Sequence, residues 1–303
     1  MRKPKLLINN IPKEDILKLV AESGYLMEQR IAKRLEDLTW EVSQSYNYQD
    51  QDEQKSREID ILATRTAKNQ MIDLSVKIEL IIECKGEPSP LIVFPRISDN
   101  LSKLSFNNMF AGSIAKFIKN DNPYKEPQYT QNAQKINNWF INIKKTFLAY
   151  LTKGISIGSQ ACTINEKKKN KADTIDDFYL NNETFYEALL SLIKASQDRK
   201  QQYFTGALSQ SDDNLPTIIC PVLIWHNELY RYEHDSPSGT LIDIPFIPFY
   251  HSHRSGKIQG DFLIYIVKED SLDKFSNIMK NNKLAEFLLV LEEYLKSIKT
   301  NNG

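Results

Sequence analysis

Apolar residues in YLMEQRIAKRLEDL fall at Met27, Ile31, Leu35 and Leu38, the spacing that lines one face of a helix. Upstream, Pro12 to Glu22 reads as a short helix that Ser23 and Gly24 end. The period then changes to two. TWEVSQSYNY alternates as a strand does, and QDQDEQKS after it is a polar loop. Two more strands are expected at roughly 58–66 and 77–85, joined by a polar turn, and a short fourth at LIVF, 91–94. Helical spacing returns over about 132–151 and 183–201. TIICPVLIWHNELYRYE predicts a buried strand, a turn near Asn227 and a returning strand, with its Tyr and Trp in the core. IDIPFIPFY and GDFLIYIVKED read as extended, and amphipathic helices over about 270–299 complete the pattern.

No repeat and no Gly/Ser or Pro linker divides this succession, so 1–303 is expected to be a single elaborated α/β domain. Its core would comprise about 22–95 and 183–267, with 101–172 as a large, mainly helical insertion. The longest apolar runs are strand-length, below the roughly 18 residues of a membrane helix. The opening MRKPKLLINN has too short an apolar run for an export signal. Three scattered cysteines, Cys84, Cys162 and Cys220, show no CxxC spacing. A cytoplasmic protein without membrane contact or structural zinc is the expectation.

Net charge is zero, yet it is unevenly distributed. Residues 101–172 hold twelve Lys, no Arg and three acids, +9 against −9 for the remainder. Nine aromatics are interleaved with those lysines. Lysines beside rings suit phosphate contact and base stacking, and also suit a solvated helical face over an aromatic core. Lys135, Lys144, Lys145, Lys167, Lys168, Lys169 and Lys171 are the candidate nucleic-acid contacts.

Three charges interrupt the apolar strands of the first hundred residues: Asp60 in EIDILA, and Glu83 and Lys85 in IIECKG. Alternation places Glu83 and Lys85 on one strand face and Cys84 on the other, and sets Asp60 opposite Ile59 and Ile61. If the two strands form a hairpin, Asp60 stands beside Glu83. Paired carboxylates repel unless a cation lies between them, and Mg²⁺ takes one or two carboxylates plus water and phosphate. The alternative is a cross-strand Asp60–Lys85 ion pair with Glu83 in solvent. Glu28 borders the apolar stripe of its helix, where the helix dipole alone would favour an acid. HSH at 251–253 offers two imidazoles on one strand face without an evident third ligand. No GxxxxGK[ST], GxSxG or HExxH motif occurs.

EID at 58–60 followed by ECK at 83–85 resembles the PD-(D/E)xK signature of the restriction-endonuclease-like nucleases, with Ile59 where the full pattern has proline. The resemblance covers about 22–95, and the helix and strand near 183–225 match the remaining core in pattern only. It implies a core of a helix, a mixed central sheet and flanking helices. It implies metal-dependent phosphodiester hydrolysis, with DNA as the expected substrate and Mg²⁺, or Mn²⁺ in its place, as cofactor. Asp60 and Glu83 would bind metal, Lys85 would be the catalytic lysine, and Glu28 an auxiliary ligand. Restriction, repair or anti-phage defence are the roles such enzymes serve. A partner protein, an activator or a homodimer is compatible with it. RNA as substrate, or a non-cleaving nucleic-acid-binding or assembly subunit, stands as the rival.

Charge reversal at Lys167, Lys168, Lys169 and Lys171 tests the lysine cluster. Loss of two duplex phosphate contacts should lower the magnitude of the log affinity against log salt slope by about 1.8. Titrations between about 50 and 200 mM salt measure it; identical slopes would leave these lysines as a solvated loop.

Overall fold

The structure, a computed structural model, describes residues 12–69, 74–95, 110–111, 156–166, 178–205, 215, 217–234 and 238–283. Helices α1 (Lys13–Glu22) and α2 (Tyr25–Asp37) come first. Strands β1 (Glu41–Asp50), β2 (Lys55–Asn69) and β3 (Leu74–Lys85) follow as an antiparallel series. After β4 (Leu91–Pro95), β5 (Phe110–Ala111), β6 (Gly158–Glu166) and β7 (Phe178–Asn181), helix α3 (Glu183–Thr205) leads into β8 (Thr217–Trp225), which lies parallel to β3. Then come β9 (Leu229–Glu233), β10 (Thr240–Asp243), β11 (Phe246–Ser255) and β12 (Ile258–Lys268). A 3-10 turn (Glu269–Ser271) and helix α4 (Leu272–Asn277) follow. The strands form one mixed sheet in the order β1-β2-β3-β8-β12-β11-β6-β4-β9-β10, with β5 beside β8 and β7 beside β6.

Two apolar layers hold helices on opposite faces. Met27, Ile31 and Leu35 of α2 and Leu272 and Phe275 of α4 pack with Ile61, Ile78, Leu80 and Ile82. On the other face Phe185, Leu189, Leu192 and Ile193 of α3 meet Ile81, Ile219, Leu223 and Ile264. A strand covered on both faces needs apolar residues throughout, and every residue of β8 is buried. Pro221 has no N–H to give, and it is tolerated because β12 pairs with β8 only from Val222 onward.

Two expectations change, and a third falls mainly outside the described residues. The strand after Asn227 does not return against β8: β9 pairs with β4 and β10, so the turn carries the chain across the sheet. Within 101–172 the described residues outside loops are strand, β5 and β6, and the helix expected over about 132–151 lies outside the described residues. The strict alternation through Asp60 fails as well: Ile61 joins the α2 layer, whereas Ile59 packs with Tyr48 in the α3 layer. The cause lies in β1, where Ser45 has a left-handed φ of 52° and the Ser45–Asp60 pair is missing between Gln44↔Ile61 and Tyr46↔Ile59. Among the described residues no helix is long and apolar enough to cross a membrane.

A buried ionic clamp joins α3 to β3. Glu79 is fully buried, and Arg199 donates to its two oxygens from Nη2 at 2.7 Å and Nε at 2.8 Å. Tyr203 donates its hydroxyl at 2.7 Å, and the Lys77 ammonium stands 3.4 Å away. Truncating one partner leaves a buried charge uncompensated. Arg199→Met is therefore expected to destabilise by about 3–5 kcal/mol in urea unfolding, and adding Glu79→Leu to recover most of that loss. Equal stability of wild type and the single variant would show the clamp to be energetically idle.

Candidate active site

The β2–β3 ladder runs from Asn69↔Leu74 to Ile61↔Ile82 and stops there. On its other side β3 stays paired with β8 through Lys85↔Trp225. The strands therefore fork at Asp60. The Cys84 N–H, which the ladder would have satisfied, donates instead to Asp60 Oδ2 at 2.6 Å. That bond fixes the Asp60 carboxylate at the head of β3, where Glu83 and Lys85 stand. Lys85 Nζ donates to Glu83 Oε1 at 2.8 Å, and Glu83 is only 7% exposed. Glu83 is thus buried and holds the lysine itself, so the alternative of an Asp60–Lys85 pair with Glu83 in solvent does not describe this site.

Electrostatics places Glu28 with this group. Burial, then repulsion from Asp60 and Glu58, raises the Glu28 carboxyl above its ordinary range, while Lys85 pulls it back. Asp60 is raised mainly by burial, against the Cys84 N–H and Lys85. Glu83 is pushed up to about 7 by burial and by Asp60, with Glu28 adding to it and Lys85 opposing. Burial would lower Lys85, but Glu83 and Asp60 more than offset it and the ammonium is held charged. Hydrogen bonds thus bring Asp60 of β2 together with Glu83 and Lys85 of β3, and Glu28 of α2 lies within electrostatic reach of them without a direct contact that joins it to the group.

The remaining candidates lie elsewhere. Lys135, Lys144, Lys145, Lys167, Lys168, Lys169 and Lys171 fall outside the described residues. His251 and His253 share a face of β11 with ring centroids 6.0 Å apart. Cys84 is buried in the α2 layer, as a small apolar side chain would be. Sequence reasoning missed the Glu269–His226 couple beside Lys85. His226 donates its backbone N–H to the Lys85 carbonyl at 3.0 Å, and its Nδ1 bonds Glu269 Oε2. The only trace in the sequence is a histidine placed directly after the apolar run of β8.

These donors suit a hard cation. Asp60 and Glu83 are oxygen donors, each with one oxygen engaged by the protein, and both carboxyls are raised chiefly by burial, which Lys85 only partly offsets. Among the described residues no group of three or more His, Cys, Asp or Glu side chains is gathered as a ligand set. One or two carboxylates completed by water and phosphate is the coordination Mg²⁺ commonly takes. Comparison with known proteins gives no match: no family model, curated protein or solved structure is similar to the chain.

The raised Glu83 carboxyl ties stability to pH. Below its ordinary 4.5 it is protonated folded and unfolded and contributes nothing. As pH rises from there to about 7, the folded state keeps a proton that the unfolded state has lost, so stability falls, and above 7 the full penalty remains. Between about pH 4 and pH 8 without metal, wild type should lose on the order of 1–3 kcal/mol relative to Glu83→Gln. Urea unfolding in EDTA measures the difference; parallel pH profiles would show that Glu83 ionises as freely folded as unfolded.

Proposed function

We propose that this chain is a divalent-metal-dependent nuclease with a restriction-endonuclease-like core, acting on DNA by phosphodiester hydrolysis. The observation that carries the reading is the meeting of Asp60, Glu83 and Lys85 where β2 and β3 fork, with Glu28 of α2 in electrostatic reach. The element order agrees with it: a helix, three antiparallel strands, then a long helix leading to a strand parallel to the third. Both parts are what the PD-(D/E)xK resemblance calls for.

Asp60 and Glu83 would hold Mg²⁺ or Mn²⁺ through the oxygens left by Cys84 and Lys85, with Glu28 beside them. Bound there, the metal ion would lower the pKa of a water and offset phosphate charge. Lys85, kept protonated by its carboxylate neighbours, donates hydrogen bonds to oxygens on which negative charge builds up. It acts in this arrangement as a fixed cation and not as a base. The backbone bond to Cys84 keeps Asp60 from turning away when a substrate phosphate enters.

Asp60→Ala and Glu83→Ala should each abolish cleavage with the fold retained by circular dichroism. Lys85→Ala should slow turnover by about 10²–10⁴ while metal binding, read by calorimetry, survives. The assay is incubation of wild type and variants with supercoiled, linear and single-stranded DNA and with RNA, each with Mg²⁺, Mn²⁺ or EDTA. Cleavage of RNA alone would reassign the substrate. Wild-type turnover by both alanine variants would remove the metal site, and DNA binding without cleavage by any form would favour the non-cleaving subunit.

A further inference from the structure

Among the described residues, three that are not glycine hold a left-handed φ: Thr39 at 69°, Ser45 at 52° and Gln54 at 55°. Thr39 and Gln54 stand in the turns that precede and follow β1. Ser45 stands inside β1, where the backbone is otherwise extended. A side chain with a Cβ disfavours that conformation, and such residues persist where the surrounding structure holds them in place.

The pairing of β1 with β2 shows what this backbone does. Gln44↔Ile61 and Tyr46↔Ile59 keep one register across the gap at Ser45, so no residue is inserted and both strands turn over together. Val42 of β1 and Ile61 of β2 pack in the α2 layer, whereas Tyr46 and Ile59 pack in the α3 layer. Asp60 falls at the crossing. Its neighbours point to opposite faces, and its own side chain is left in the plane of the sheet. There its Oδ2 takes the Cys84 N–H at 2.6 Å, in the place of the backbone pair that would follow Ile61↔Ile82. A regular ladder would pair Ser45 with Asp60 and turn the carboxylate to one face, away from that N–H.

We propose that Ser45 is a positioning residue of the site: its left-handed backbone, through the crossing of β1 and β2, holds the Asp60 carboxylate where it ligates a divalent cation; this rests on the nuclease reading above. In this role Ser45 acts through Asp60 and needs no contact with the cation or the substrate. The strand pair has two arrangements, one crossed with Asp60 in the plane, the other continuous with Ser45 and Asp60 paired. The cation selects the first. Whatever lowers the share of the crossed arrangement weakens the apparent affinity for the cation in proportion. The residue at position 45 therefore sets metal affinity by its tolerance of a left-handed φ: Gly and Asn suit it, Ala suits it less, and a β-branched side chain least.

The test measures Mn²⁺ affinity by calorimetry and stability by urea unfolding for wild type, Ser45→Gly, Ser45→Asn, Ser45→Ala and Ser45→Val. Gln54→Val is the control, since it puts the same β-branched side chain on a left-handed backbone in the β1–β2 turn. Ser45→Gly and Ser45→Asn should bind Mn²⁺ within about twofold of wild type, Ser45→Val roughly tenfold more weakly, and Ser45→Ala between them. Excess Mn²⁺ should return Ser45→Val to wild-type turnover on duplex DNA, whereas Gln54→Val should lose stability at unchanged affinity. Wild-type affinity in Ser45→Val would overturn the proposal, as would a loss in Ser45→Gly equal to that in Ser45→Val. Should Ser45→Val not fold, Ser45→Ala decides: affinity below that of Ser45→Gly and Ser45→Asn supports the proposal, and equal affinity overturns it. Absence of Mn²⁺ binding by wild type would overturn the nuclease reading itself, an outcome distinct from a wild type that binds with indifferent Ser45 variants.

Discussion

The chemistry of this molecule follows from the point where one hydrogen-bonded ladder stops. Had β2 and β3 stayed paired beyond Ile61↔Ile82, the Cys84 N–H would have met a backbone carbonyl. Because they fork, a buried donor is left over, and an unsatisfied one costs about 1–3 kcal/mol. Asp60 meets that need, and in doing so its carboxylate is fixed at the head of β3, near an acid it repels. The irregularity of β1 at Ser45 permits the fork, since it releases Asp60 from its other neighbour while the register on either side continues unchanged. Backbone satisfaction and electrostatic tension are thus supplied by a single bond.

One strand face displays two ways of burying a carboxylate. Glu79 and Glu83 are four residues apart on β3, and both are nearly inaccessible. Glu79 receives two guanidinium bonds, a hydroxyl and a nearby ammonium. Glu83 has a single lysine, and two further acids act against it. Burial by itself does not mark a functional acid. What separates the two is that Glu79 has its charge satisfied within the protein, whereas Glu83 lacks positive charge that an incoming ligand can provide. Lys85 occupies the corresponding position among cations, drawn toward the charged state by neighbours with an excess of negative charge.

Much of this was legible in the sequence because it depends on local periodicity. The α2 stripe at Met27, Ile31 and Leu35, the apolar run of β8 and the polar breaks at Asp60, Glu83 and Lys85 all show in patterns a few residues long. The position of β9 did not, since the sequence marks a turn at Asn227 but not which strand the next one joins. Nor did the kink at Ser45, because a left-handed serine carries no signature of its own. Glu269 and His226 come together from separate stretches of chain, and Arg30 reaches them from a third. Charged contacts between distant segments leave no periodic trace. The lysine-rich asymmetry was plain in composition, and composition carries no information about where those lysines stand.

The clamp between Glu79 and Arg199 has a consequence for how such a chain can change over generations. It fastens α3 to β3 across everything that intervenes between them, including β4, β6 and β7. Since β4 and β6 are paired into the sheet, it is the connections between these strands that can grow or shrink cheaply, doubling the length of a flexible loop adding only about 0.6 kcal/mol of closure cost. New recognition surfaces can therefore be grafted between β3 and α3 while Asp60, Glu83 and Lys85 keep their positions. Glu83 and Lys85 lie beyond the ion pair on the same strand, and they keep their place because β3 stays paired with β8 as far as Lys85↔Trp225.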